Sequence, residues 1–343
     1  MTILFDRILG AMAGCAIGDA MGSPTETRPT YLIKEHIGGG DYVRDYHTPL
    51  PDTLSAGSPK GLVTDDFSVS YLSLKQFAQQ GGEITKEAAI AAMLEWSTYD
   101  RYYISHSGPT SKKSIAKLKG EPYDSKDDYT VTDIYASTNG AGMKAWCAGI
   151  LNIGDLDKAI DDAIVMCKVT HDNAIALSAG CAVAAATAYA ATKNSTIAGV
   201  VKAGLYGARE GYNKSLPITR GSVGASVEER IKLAVSIGLN YSNDFDRLLL
   251  EMSDIVGTGL NANEAIPAAF GFLVAAQGKV MDSIIMSINV GADTDTVAAI
   301  AGAMCGAYSG AEGLDSHIEF ISEVNDFEIV ELARTLESVL SAK

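Results

Sequence analysis

Apolar residues recur three and four positions apart along most of this chain, the period of a helix with one buried face. The stretches EITKEAAIAAMLEWSTY (83–99), DLDKAIDDAIVMCKVT (155–170), SVEERIKLAVSIGL (226–239), NDFDRLLLEMSDIVG (243–257) and KVMDSIIMSINVG (279–291) all follow it. Three open on a capping signal: Thr85 before Lys86 and Glu87, Asp155 before Leu156, and Ser226 before Glu228 and Glu229. Such side chains accept hydrogen bonds from the orphan amides of a first helical turn. Runs of alternating β-branched residues are nearly absent. The pattern predicts an all-α protein.

Many of the helical stretches are rich in alanine and glycine, as in AGVVKAGLYGARE and AAIAGAMCGAYSG. Small residues let helices approach closely, which points to a compact many-helix bundle. The segment AIALSAGCAVAAATAYAAT (174–192) carries no charge and is long enough to span a bilayer. Its few large apolar residues favour a tightly packed central helix instead, with no membrane partner. Irregular stretches are expected at 23–62, 120–139 and 215–224. With no long linker or repeat, residues 1–343 are predicted to form a single domain.

The totals alter this picture in two ways. Of 343 residues, 47% are hydrophobic and 20% charged, enough apolar material for a sizeable core without disulfides. The net charge of −15 argues against a nucleic-acid partner, since too little basic surface exists to neutralise phosphates. Five scattered cysteines show no zinc spacing and fit a reduced, cytoplasmic protein. ILGAMAGCAIG (8–18) has the apolar character of an export signal, but Asp6 precedes it and a polar motif follows, so export is not expected.

Four short motifs share one design, polar residues at the edge of a small-residue helix. They are GDAMGSPTE with Asp19 and Glu26, TDDF (64–67), THDN (170–173) and DTDT (293–296). Taken singly, each reads as a cap, because Thr and Asp favour N-caps and first-turn acids complement the helix dipole. One helix needs one N-cap, however, and adjacent carboxylates repel. If TDDF and DTDT meet in space, four carboxylates converge, and desolvation with repulsion would be severe unless cations lie between them. Hard cations such as Mg²⁺ and Mn²⁺ suit carboxylate and hydroxyl oxygens.

In this order the motifs resemble the ADP-ribosylglycohydrolase family, which includes dinitrogenase-reductase-activating glycohydrolases and ADP-ribosylarginine and ADP-ribosylserine hydrolases. The match runs from GCAIGDAMGSPTE through TDDF, SGPTSKKSIAKLKG, NGAGMKAWCAG and THDN to IPAAFGF and GADTDTVAAIAGAMCGA, about residues 9–310. The resemblance implies an all-α bundle with two Mg²⁺ or Mn²⁺ ions. It also implies hydrolysis of the bond between the distal ribose of ADP-ribose and a protein side chain or small group. By that similarity Thr64, Asp65, Asp66, Asp293, Asp295 and Thr296 are the metal ligands. Glu26 matches a glutamate near the metals and substrate, and a metal-adjacent carboxylate (Glu26, or an aspartate of the cluster, Asp65 or Asp295) is expected to handle protons. Gly108, Pro109 and Thr110, then Asn139, Gly140, Ala141, Gly142 and Met143, line the ADP-ribose through backbone groups, and His171 lies on the substrate side. Helix-start amides bind phosphate without a basic side chain, so an acidic protein can take this anionic substrate.

The chain departs from many relatives at Phe67, where a hydroxyl residue is usual, at Ala292, where a second glycine is usual, at His106, and across 143–147 (MKAWC). The ligand set is thus retained while the substrate loops drift. Lys112 and Lys113 read as a solvated face, and Trp96, Tyr102 and Tyr103 as core. Two rival readings remain: a ribosyl or nucleoside N-glycosidase on the same scaffold, and a non-catalytic ADP-ribose-binding member.

Overall fold

A computed structural model of the chain describes residues 2–125, 132 and 137–343. Residues 126–131 and 133–136, inside the expected irregular stretch 120–139, lie outside the described residues. Among the described residues the protein is all-α, with seventeen α-helices and no strand. The five amphipathic stretches contain the helices Lys86–Trp96, Leu156–Lys168, Val227–Tyr241, Phe245–Glu251 and Val280–Ile288. The caps behave as the sequence suggests. Thr85 accepts from the Ala88 amide, Asp155 from Lys158 and Ser226 from Glu229. Two details were not anticipated: a helix Thr30–His36 inside the first irregular stretch, and a π-helical turn Met252–Val256 ending the 243–257 stretch.

The centre of the bundle is an antiparallel pair, Ile3–Gly22 against Thr294–Ser309. Glycines at every fourth position of the first helix (Gly10, Gly14, Gly18 and Gly22) form one stripe, which faces Gly306, Gly302, Ala298 and Asp295 in turn. A Cβ at Gly14 would stand 2.0 Å from the Gly302 carbonyl oxygen, and one at Gly302 would stand 2.1 Å from that of Gly14. The two backbones therefore touch, which no side chain at these positions would permit. The Ala174–Ala190 helix is buried along almost its whole length, as its small residues suggest. No described helix is long and apolar enough to cross a membrane.

Trp96 and Tyr102 belong to the core, and the Trp96 indole donates to Ser68. Tyr103 packs edge-on against Trp96. All five cysteines are buried and free.

Candidate metal centre

One helix end and two helix starts converge at one end of the central pair. Asp19 lies in the last turn of Ile3–Gly22, and Glu26 follows a short 3₁₀ turn. Thr64 caps the helix Asp65–Gln79, accepting from the Asp66 amide. Asp293 stands at the N-cap position of Thr294–Ser309, yet its side chain makes no capping bond. Its carboxylate instead accepts the Asn139 amide at 2.6 Å.

The carboxylates form two groups that share a member. Oxygens of Asp19, Asp66 and Asp295 lie within 4.8 Å of one another, and so do those of Glu26, Asp293 and Asp295. The Thr64 and Thr296 hydroxyls both reach Asp66 Oδ2, at 3.3 and 3.2 Å. Asp66 Oδ1 and Asp295 Oδ1 are buried without a hydrogen-bond partner. An unpaired buried carboxylate oxygen is costly, and a divalent cation satisfies two of them at once. Among the described residues none of these acids, nor Asp65, forms an ion pair with Lys, Arg or His.

The electrostatics record this crowding. Burial, then Asp293, Asp65 and Asp19, pushes Glu26 up to about 8. Burial pushes Asp19 up to about 7 despite hydrogen bonds from the Phe67 and Thr64 amides. Desolvation and then Asp19 raise Asp65 to about 7. Asp66 and Asp295 are raised by burial first and then by their acidic neighbours. Without cations, burial and mutual repulsion favour the protonated forms of Asp19, Glu26, Asp65, Asp66 and Asp295.

Glu26 and Asp293 are neighbours because the residues beside them are tied together. Thr27 donates its amide to the Ala292 carbonyl at 2.7 Å, and Ala292 donates to Arg28 at 3.1 Å. Thr27 and Ala292 both take left-handed conformations, with φ of 65° and 62°, uncommon for residues with a side chain. A cavity of about 610 Å³ opens beyond this tie, lined by Thr27, Tyr31, Tyr42, Asp254 and Ala292 among others, and does not include the carboxylates of either group.

The structure brings Glu26, Asp66, Asp293 and Asp295 together, with Thr64 and Thr296 beside Asp66. It leaves Asp65, partly exposed, outside both groups and places Asp19 within one. The sequence carried a signal for Asp19, which sits in the GDAMGSPTE motif. Only the fold shows that its carboxylate faces Asp66 and Asp295.

The other expected site residues lie on two helix starts and one buried network. Gly108, Pro109 and Thr110 open the helix Pro109–Lys119, and the space over Gly108 is open. Asn139, Gly140 and Ala141 form a 3₁₀ turn leading into Gly142–Leu151. Gly142 is packed against Ile266, and Met143 is buried. His171 is buried, with its ring nitrogens 2.8 Å from Thr170 Oγ1 and 3.0 Å from Thr138 Oγ1. Burial, and then Lys144, depresses its pKa, so the ring is neutral and backs the turn. Lys144, unmarked as a site residue in the sequence, is 1% exposed beneath the same turn.

The family model for ADP-ribosylglycohydrolase matches residues 1–342. The uncharacterized protein YegU of Escherichia coli (strain K12) is 28% identical over 335 residues, covering 96% of each chain. An uncharacterized protein of Archaeoglobus fulgidus is 25% identical over 328 residues, covering 95% of this chain and 94% of its own. The solved structure of an ADP-ribosylglycohydrolase-related protein complex superposes with a TM-score of 0.64 at 20% identity, covering 99% of both chains, and shares the fold.

Proposed function

From the premise that this chain belongs to the ADP-ribosylglycohydrolase family, we propose that it is a binuclear-metal hydrolase. It cleaves the glycosidic bond at the distal ribose of ADP-ribosylated proteins or small ADP-ribosyl compounds. The observation that carries this reading is the pair of carboxylate groups sharing Asp295, with orphaned oxygens on Asp66 and Asp295. Asp19, Thr64, Asp66, Asp295 and Thr296 would hold one Mg²⁺ or Mn²⁺, and Glu26, Asp293 and Asp295 the other. Bound cations supply Lewis acidity and make water a nucleophile at neutral pH.

The chain's own groups do the rest. Glu26, the least buried of its group, takes the proton from water and returns one to the leaving group. Asp65, outside both groups and partly exposed, is the second proton carrier. The surrounding carboxylates favour the positive charge that develops on the ribose as the bond breaks. Backbone amides of Gly108 and Thr110, and of Gly140, Ala141 and Met143, cradle the pyrophosphate where helix dipoles favour negative charge.

The test is release of ADP-ribose from ADP-ribosylarginine and ADP-ribosylserine peptides, with Mn²⁺ and with EDTA, alongside calorimetric counting of Mn²⁺. Metal-dependent release with two ions bound supports the proposal. Turnover of free nucleosides alone would move the reading to a nucleoside N-glycosidase, and ADP-ribose binding without release to a binding protein.

A further inference from the structure

A buried lysine lies under the turn that reaches the metal centre. Lys144 Nζ donates to the Gly140 carbonyl at 3.0 Å and to Thr170 Oγ1 at 2.9 Å. Thr170 Oγ1 in turn meets His171 Nδ1, and His171 Nε2 meets Thr138 Oγ1. The chain of bonds thus leaves the turn at Gly140 and returns to it at Thr138. Between those two anchors stands Asn139, whose side chain donates to Asp293. Its backbone amide donates to the Leu260 carbonyl at 2.9 Å.

A turn of this kind has little to stiffen it on its own. Gly140 restricts the backbone weakly, and a three-residue 3₁₀ turn carries few hydrogen bonds. Holding the Gly140 carbonyl inward also fixes the next peptide plane. The bond is trans, so the Ala141 N–H points away from the buried amine. The Ala141 carbonyl is held as well, by Cys167 Sγ at 3.2 Å. An apolar residue at 144 would leave the Gly140 carbonyl and the Thr170 hydroxyl buried with one partner fewer, and the turn free to rotate.

We propose that Lys144 is a positioning residue for the metal centre: its hydrogen bonds to Gly140 and Thr170 lock the turn Thr138–Ala141 in the form in which Asn139 orients Asp293. Lys144 itself touches no carboxylate of the two groups. This rests on the reading of Asp293 as a metal ligand, and it assigns the task of aiming that ligand to a residue two steps away. Partners that orient metal ligands cost about 10- to 100-fold in metal affinity when removed.

The experiment is a double-mutant cycle on Mn²⁺ affinity, read by calorimetry, with circular dichroism and melting temperature as fold controls. Lys144→Met and Asn139→Ala should each weaken Mn²⁺ binding by about tenfold or more, and the double variant should be no weaker than Asn139→Ala alone. Equal affinity in Lys144→Met and wild type, or additive losses in the double variant, would overturn the proposal. Should Lys144→Met fail to fold, Thr170→Val severs the same path, and an unchanged affinity there overturns it too. A wild-type chain that binds no Mn²⁺ would sink the metal reading itself, an outcome distinct from a wild type that binds and a variant that binds equally well.

Discussion

Gly22 meets Asp295 backbone to backbone: a Cβ at position 22 would stand 2.4 Å from the Asp295 Cα and 2.6 Å from its nitrogen. The glycine stripe that closes the central helix pair therefore ends on the acid shared by both carboxylate groups. Packing and chemistry are set by the same contact. Gly22→Ala must push the helix Thr294–Ser309 outward, at a cost of about 1–3 kcal/mol for overpacking. Melting should fall and Mn²⁺ affinity with it. Gly108→Ala, with open space above it, should change stability by less than about 1 kcal/mol at a helix N-cap. Thermal denaturation of the two variants checks the contrast.

Asp295→Asn separates repulsion from binding. Removing one buried charge relieves Glu26, Asp293 and Asp66, all of which raise the Asp295 pKa. The metal-free variant should melt no lower than metal-free wild type. Saturating Mn²⁺ should raise the wild-type melting point, as about 2.7 kcal/mol of stabilisation is expected at 100 times Kd, and should leave the variant unmoved. A variant still stabilised by Mn²⁺ would remove Asp295 from the ligand set.

The two acids of TDDF should behave differently. Asp66 belongs to a carboxylate group and Asp65 does not. Asp66→Asn is expected to abolish Mn²⁺ binding. Asp65→Asn should keep Mn²⁺ affinity and lose turnover by about 10²- to 10⁴-fold, the range for a proton carrier. Calorimetry with initial rates on the same preparations decides this, and equal metal loss in both variants contradicts it.

Metal-free stability should fall as pH rises. Asp19 and Asp65 are raised from 3.8 to about 7, and Glu26 from 4.5 to about 8. Between these limits the folded chain binds more protons than the unfolded one, so each step up in pH favours unfolding. The decline should begin near pH 4 and level off above about pH 8. Urea midpoints measured in EDTA would show it, and Mn²⁺ should flatten the curve by replacing the protons. A midpoint that climbs from pH 5 to 8 in EDTA would contradict the assigned shifts.

Much of this was legible in the sequence because it is local. A helix declares itself within a dozen residues through apolar spacing, and Thr85, Asp155 and Ser226 each cap an amide three positions away. The same locality made TDDF and DTDT visible as surplus acids. The helix Thr30–His36 escaped because it is too short to establish a period. The π-helical turn at Met252–Val256 escaped because its apolar spacing also suits an α-helix.

By itself, then, the sequence determined the long amphipathic helices, the caps at Thr85, Asp155 and Ser226 and the two acidic pairs, since each depends on neighbours along the chain. Tertiary structure alone decided which acids meet. Asp19 joins Asp66 and Asp295, Asp65 stays outside, and Asn139 reaches Asp293 above a buried Lys144. These contacts join residues up to 276 positions apart, as with Asp19 and Asp295. Their geometry follows from how closely the glycine-lined backbones pack, and that separation is a property of two helices together.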